Sequence, residues 1–185
     1  MRRLPFAFIV VFAALLFARA AWATTDTFSI SAGGNDDSLH EIGGSWRPSS
    51  SPFCDSSSTS MLANAEPGFI EDTMLMQWNT STLPDTATID SANLKLYIQG
   101  KANPDGRNFV CNWYNWGATC DGTDDDGGGT QALSVSINTL TTGIVNTLAL
   151  SNLSNISLTS TTYLICIIDG TAPSGQNLVQ VASFD

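Results

Sequence analysis

The run Ala92 to Gln99 (ANLKLYIQ) constrains this chain more than any other stretch. Ala92, Leu94, Leu96 and Ile98 alternate with Asn93, Lys95, Tyr97 and Gln99, the period of two that marks a half-buried β-strand. Met74 to Trp78 (MLMQW) gives a shorter strand upstream, with Met74, Met76 and Trp78 on one face. Between them lies NTSTLPDTATIDSA, where Pro84-Asp85 is turn chemistry with φ preset by the proline.

The rest of the chain reads in the same idiom. Asp26 to Ser31 (DTFSIS) alternates Phe28 and Ile30 as an opening strand. Residues 33–60, rich in Gly, Ser, Asp and Pro, read as a long surface excursion holding at most one weak strand near Leu39 to Ile42. Arg107 to Tyr114 is a strand entered through the turn Asn103-Pro104-Asp105-Gly106. Residues 121–129 (DGTDDDGGG) form an acidic loop, and Gln131 to Ile137 alternates Leu133, Val135 and Ile137. Thr141 to Leu150 fits either a helical turn or an irregular strand. Thr161 to Asp169 (TTYLICIID) is apolar on both faces, as a strand covered on both sides would be. Asn177 to Ser183 is the last strand. Short strands with Gly, Pro, Asn and Asp turns, and no 3.6-residue period after the first segment, predict an all-β antiparallel sandwich.

That first segment, residues 1–23, is read as an export signal. Arg2 and Arg3 precede the fifteen-residue apolar run Leu4 to Ala18, and Ala21-Trp22-Ala23 is a cleavage site of the A-x-A type. The run is shorter than the roughly 20 residues that span a bilayer. A single mature domain, 24–185, comes after it, long enough to bury roughly 70% of its unfolded surface. Cleavage removes three of the seven basic residues, so four face seventeen acids and the net charge becomes −13. Such a surface repels phosphate backbones and anionic lipids, so neither nucleic acid nor, after cleavage, membrane is an expected partner.

Four cysteines remain: Cys54, Cys111, Cys120 and Cys166. An even count in an exported chain points to disulfides, and no C-x-x-C spacing supports a zinc or redox reading. The expected pairing is local, Cys111 with Cys120 around a compact aromatic loop, leaving Cys54 for Cys166.

Leu75 to Ile98 (LMQWNTSTLPDTATIDSANLKLYI) resembles the signature of DNRLRE-type β-sandwich domains of secreted and surface proteins. The matching positions are Trp78, Asn79, Leu83, Pro84, Ile89, Ala92, Leu94, Leu96 and Tyr97. The opening Asp26-Thr27-Phe28 and the closing Val179 to Ser183 are similar to that family's first and late strands. The resemblance implies a jelly-roll-like sandwich related in architecture to carbohydrate-binding modules, and it implies no catalytic residues. Domains of this type carry one more strand after the segment ending at Asp185. Its lack here suggests a truncated chain, a short edge, or completion by a strand from a neighbouring chain.

Three groups of side chains are candidate sites. Trp113, Tyr114 and Trp116, with Asn112 and Asn115, would suit stacking on sugar rings and hydrogen bonding to hydroxyls of a polysaccharide or cell-surface glycan; the competing reading has these rings plugging one end of the sandwich. Asp121, Asp124, Asp125 and Asp126 could collect Ca²⁺, with Asp36 and Asp37 as a second acidic pair, although the spacing is not that of an EF-hand. His40 stands without a nucleophile elbow, and nothing in the spacing of Glu66, Glu71 and Asp72 fixes a catalytic separation, so the sequence predicts a non-enzyme. Asn79, Asn152 and Asn155 lie in N-x-S/T sequons. The expected role is binding, directed to glycans or to copies of the same chain.

Overall fold

Period-two patterning is realised most plainly in β5 (Asn93–Ala102), where Leu94, Leu96 and Ile98 are buried and Asn93, Lys95, Tyr97 and Gln99 are exposed. The computed structural model describes residues 24–29, 36–42, 53–55, 60–68, 70–117, 119–121, 124 and 128–182. In chain order the other strands are β1 (Asp36–Ile42), β2 (Phe53–Asp55), β3 (Ser60–Glu66), β4 (Ile70–Asn79), β6 (Asn108–Trp113), β7 (Thr130–Ser136), β8 (Val145–Ala149), β9 (Thr161–Ile168) and β10 (Asn177–Ala182). Two single-turn 3₁₀ helices, Ile137–Thr139 and Leu153–Asn155, flank β8.

The fold is all-β and antiparallel, as the patterning predicts. Eight strands run in the order β7-β6-β9-β4-β3-β10-β5-β8 as one nearly closed sheet. β1 and β2 lie off this path, β1 pairing with both β2 and β4. The inner face gathers Met61 and Ala63 of β3, Met74 and Met76 of β4, Leu94, Leu96 and Ile98 of β5, Phe109 of β6, Leu164 of β9 and Val179 and Val181 of β10 into one core. Each large aliphatic side chain fully buried there contributes about 1.5–3 kcal/mol.

β4 is the hub. Residues 70–72 pair with β3, residues 74–79 pair with β9, and β1 runs along residues 70–76. Successive side chains point to opposite faces, so while Met74 and Met76 enter the main core, Leu75 joins Leu39, Ile165 and Trp116 in a second one. β9 is therefore apolar on both faces for the reason expected: each face has its own core.

Two disulfides join the strands, with a pairing that corrects the sequence expectation. Cys111 bonds Cys166, and Cys54 bonds Cys120. β6 and β9 are neighbours, and their register sets Cys111 directly opposite Cys166 with the Cα atoms 4.0 Å apart. The chain leaving β6 then crosses the second core, carrying Cys120 to Cys54 of β2.

Other expectations are corrected along the chain. Residues 26–29 carry no strand, and Ile30 and Ser31 lie outside the described residues. The supposed surface excursion supplies β1, whose Leu39 is fully buried, and β2. β3 carries no clear sequence signal because Ala63 and Ala65 are small, yet they pack in the main core. The ambiguous stretch 141–150 is a strand, β8, held to β5 from Val145 to Ala149. Residues 1–23 and 183–185 lie outside the described residues. Among the described residues, no helix is long and apolar enough to cross a membrane.

Candidate functional site

β6 ends at Trp113, and the loop that leaves it decides how the aromatic cluster is used. Trp113 is 6% exposed, and its indole N–H donates to the Ser151 carbonyl at 2.8 Å. Trp116, 4% exposed, packs on the second core and donates its N–H to the Met76 carbonyl at 3.3 Å. Its ring meets Tyr163 edge-on, centroids 5.6 Å apart at 79°. Asn112 is buried as well. Three of the five predicted ligand residues thus sit in the interior, and the two indoles act as plugs rather than stacking platforms. Tyr114 and Asn115 stay at the surface.

These two border an open cleft of about 360 Å³ lined by Trp113, Tyr114, Asn115, Asn155 and the run Ser160 to Tyr163. The loop after β6 forms one wall, and the 3₁₀ turn at Asn155 with the start of β9 forms the other. Sequence reasoning missed the second wall. Its residues lie about forty positions from the first, Tyr163 falls within a strand patterned as buried, and Asn155 stands out only as part of a sequon. Only the pairing of β9 with β6 brings the walls together.

The rim is held by its own polar bonds. The Thr80 and Thr162 hydroxyls are 2.7 Å apart, Ser157 N–H donates to the Thr162 hydroxyl at 2.9 Å, and Ser160 N–H donates to the Ser157 hydroxyl at 3.0 Å. The Asn115 side-chain oxygen accepts from Gly117 N–H at 3.0 Å, which leaves its NH₂ group as the available end. Asn155 is set the opposite way: its NH₂ donates to the Asn152 carbonyl at 2.8 Å, leaving its oxygen. The hydroxyls of Thr161 and Tyr163 have no hydrogen-bond partner among the described residues. Among the described residues, the cleft therefore offers donors and acceptors on both walls and no ionised group. A second cleft of about 320 Å³, lined by Ala87, Thr88, Ile89, Leu153, Ser154, Ile156 and Leu158, is mostly apolar.

The carboxylates lie elsewhere. Asp121 is exposed, while Asp124 is buried with its carboxylate accepting Asp121 N–H at 2.9 Å, so it caps its own loop. Asp125 and Asp126 lie outside the described residues. Among the described residues, no three His, Cys, Asp or Glu side chains converge as a metal site. Glu71 and Asp72 are buried neighbours on β4, and His40 lies opposite Asp72 in the β1 register. Among the described residues, no acid lines either cleft.

Asp105 serves the structure. It accepts from the Ser174 hydroxyl, from Ser174 N–H at 3.0 Å and from the Asn177 NH₂ at 2.8 Å. Those bonds, led by the Ser174 hydroxyl and then Asn177, hold its carboxyl well below the usual carboxylate range. Beside it, Arg107 reaches Asp105 at 3.6 Å and donates to the Asp169 and Thr171 carbonyls at 2.6 and 2.5 Å. The clasp ties the turn before β6 to the loop before β10.

Among the described residues, one apolar feature is exposed. Tyr97 and Val145 face each other across β5 and β8, with Ile144 beside them, at an end strand of the sheet. Searches of protein-family models and of curated proteins give no match to this chain.

Proposed function

We propose that this protein is a secreted, non-catalytic binding module directed to carbohydrate, and that the cleft between Asn115 and Tyr163 is its ligand site. The observation that carries this reading is the lining itself: aromatic side chains interleaved with amides and hydroxyls, the composition that packs against sugar rings and pairs with their hydroxyls. Two disulfides are compatible with an extracellular setting, and the resemblance of Leu75 to Ile98 to DNRLRE-type domains supports the same class. The test is retention of the full chain in polysaccharide-containing native gels. Retardation that disappears in Tyr114→Ala with unchanged near-ultraviolet circular dichroism supports the reading; equal mobility with and without every polysaccharide sinks it.

A second reading, a self-assembling extracellular subunit, is favoured by the exposed Tyr97, Ile144 and Val145 at the β8 edge, where a strand from another copy could add. Light scattering separates the two: a monomer at all concentrations removes the assembly reading.

A further inference from the structure

We infer that the cleft takes an uncharged stretch of polysaccharide and turns away uronate and sulfated chains. The inference rests on the carbohydrate reading and specifies its substrate class.

Among the described residues that line the cleft there is no Lys, Arg, Asp or Glu. The described basic side chains are committed or distant. Lys101 donates to the Ile137 and Asn138 carbonyls, Arg107 is held in the Asp105 clasp, and Lys95 projects from the outer face of β5 opposite Thr147. A carboxylate or sulfate entering the cleft would give up part of its hydration and meet no countercharge among the described lining residues, whereas a neutral hydroxyl exchanges water for equivalent partners. Nor does any carboxylate among the described lining residues stand ready to hold a bridging divalent cation. At longer range the chain's net charge of −10 repels polyanions before they arrive.

The polar groups that remain match a neutral sugar. A sugar hydroxyl both donates and accepts. Facing it are the Asn115 NH₂, a donor; the Asn155 side-chain oxygen, an acceptor; and the Thr161 and Tyr163 hydroxyls, which do either. The side-chain bonds of Asn115 to Gly117 and of Asn155 to Asn152 fix which end of each amide is presented, so the pattern is preorganised.

The experiment is titration calorimetry of the full chain against three neutral polymers (a β-glucan, a xylan and a mannan) and three anionic ones (a pectate, an alginate and a sulfated galactan), at low and high salt. The protein should come from a host without N-glycosylation, since Asn155 lies both in a sequon and on the rim. We expect binding to at least one neutral polymer that is indifferent to salt, a loss of about tenfold in affinity in Tyr163→Phe and in the surface variant Asn115→Ala, and no binding to the anionic set. Asn115→Lys should admit an anionic chain that wild type refuses. Binding of wild type to anionic polymers, weakening with salt, overturns the charge selection while leaving the carbohydrate reading intact. Binding to none of the six overturns both.

Discussion

Cys111 and Cys166 face each other across β6 and β9 with Cα atoms 4.0 Å apart, inside the main core, and neither is exposed to solvent. Cys54 and Cys120, in contrast, are half-buried at the border of the second core. Thiol–disulfide exchange needs access for the attacking thiolate, so limited reductant should open Cys54–Cys120 first. Alkylation of timed samples and mass spectrometry read the order, and early labelling of Cys111 or Cys166 would contradict it. Replacing both Cys111 and Cys166 by Ala should cost about 4 kcal/mol, the chain-entropy value for a loop of this length.

Trp116 holds the second core together from the loop side. Trp116→Ala should destabilise the fold by about 3–5 kcal/mol, through lost burial plus the cavity left over Leu75 and Ile165. Chemical denaturation measures it. A change below about 1 kcal/mol would mean that the indole is a surface group after all.

Asp105 makes stability depend on pH in the acid range. Its carboxyl is held below the ordinary value in the folded chain, so the stabilisation is fully present above the unfolded value of about 3.9 and drains away as pH falls toward the folded one. Asp105→Asn should lower stability at neutral pH and flatten the acid limb of a stability-versus-pH curve. Parallel acid limbs for the two proteins would rule out this assignment.

Lys101 fastens β5 to the turn between β7 and β8. Its ammonium donates to the carbonyls of Ile137 at 3.2 Å, Asn138 at 2.9 Å and Leu140. Lys101→Met keeps the aliphatic stem but leaves those acceptors unmet, and should cost about 1–3 kcal/mol. Thermal denaturation of the variant is the check, and an unchanged midpoint would show that solvent replaces the ammonium without penalty.

The fold class was legible because β5 alternates without a fault and because the stretch holding β9 is apolar on both faces. β3 was not legible, and of β1 only Leu39 to Ile42 could be read, as a weak strand. Leu39 owes its burial to Leu75 and Ile165, residues far along the chain, and Ala63 and Ala65 are too small to announce a core position. The disulfide pairing failed for a related reason. Nine positions separate Cys111 from Cys120, but the strand register, which no local pattern reveals, outweighs that proximity. Half of the cleft could be read, since Tyr114 and Asn115 flag themselves as polar-tipped groups near an aromatic cluster. The wall from Asn155 to Tyr163 could not, because only tertiary pairing gives it a role. Even Gly129, at the end of the acidic loop, carries more than looseness: its φ is +95°, and a Cβ there would lie 2.1 Å from the Trp113 carbonyl oxygen.

The two strands that end the nearly closed sheet, β7 and β8, are consecutive in the chain with only residues 137–144 between them. The unsealed seam therefore carries a covalent pin. Its lips cannot part by more than that short connection allows, and bringing them together costs little chain entropy.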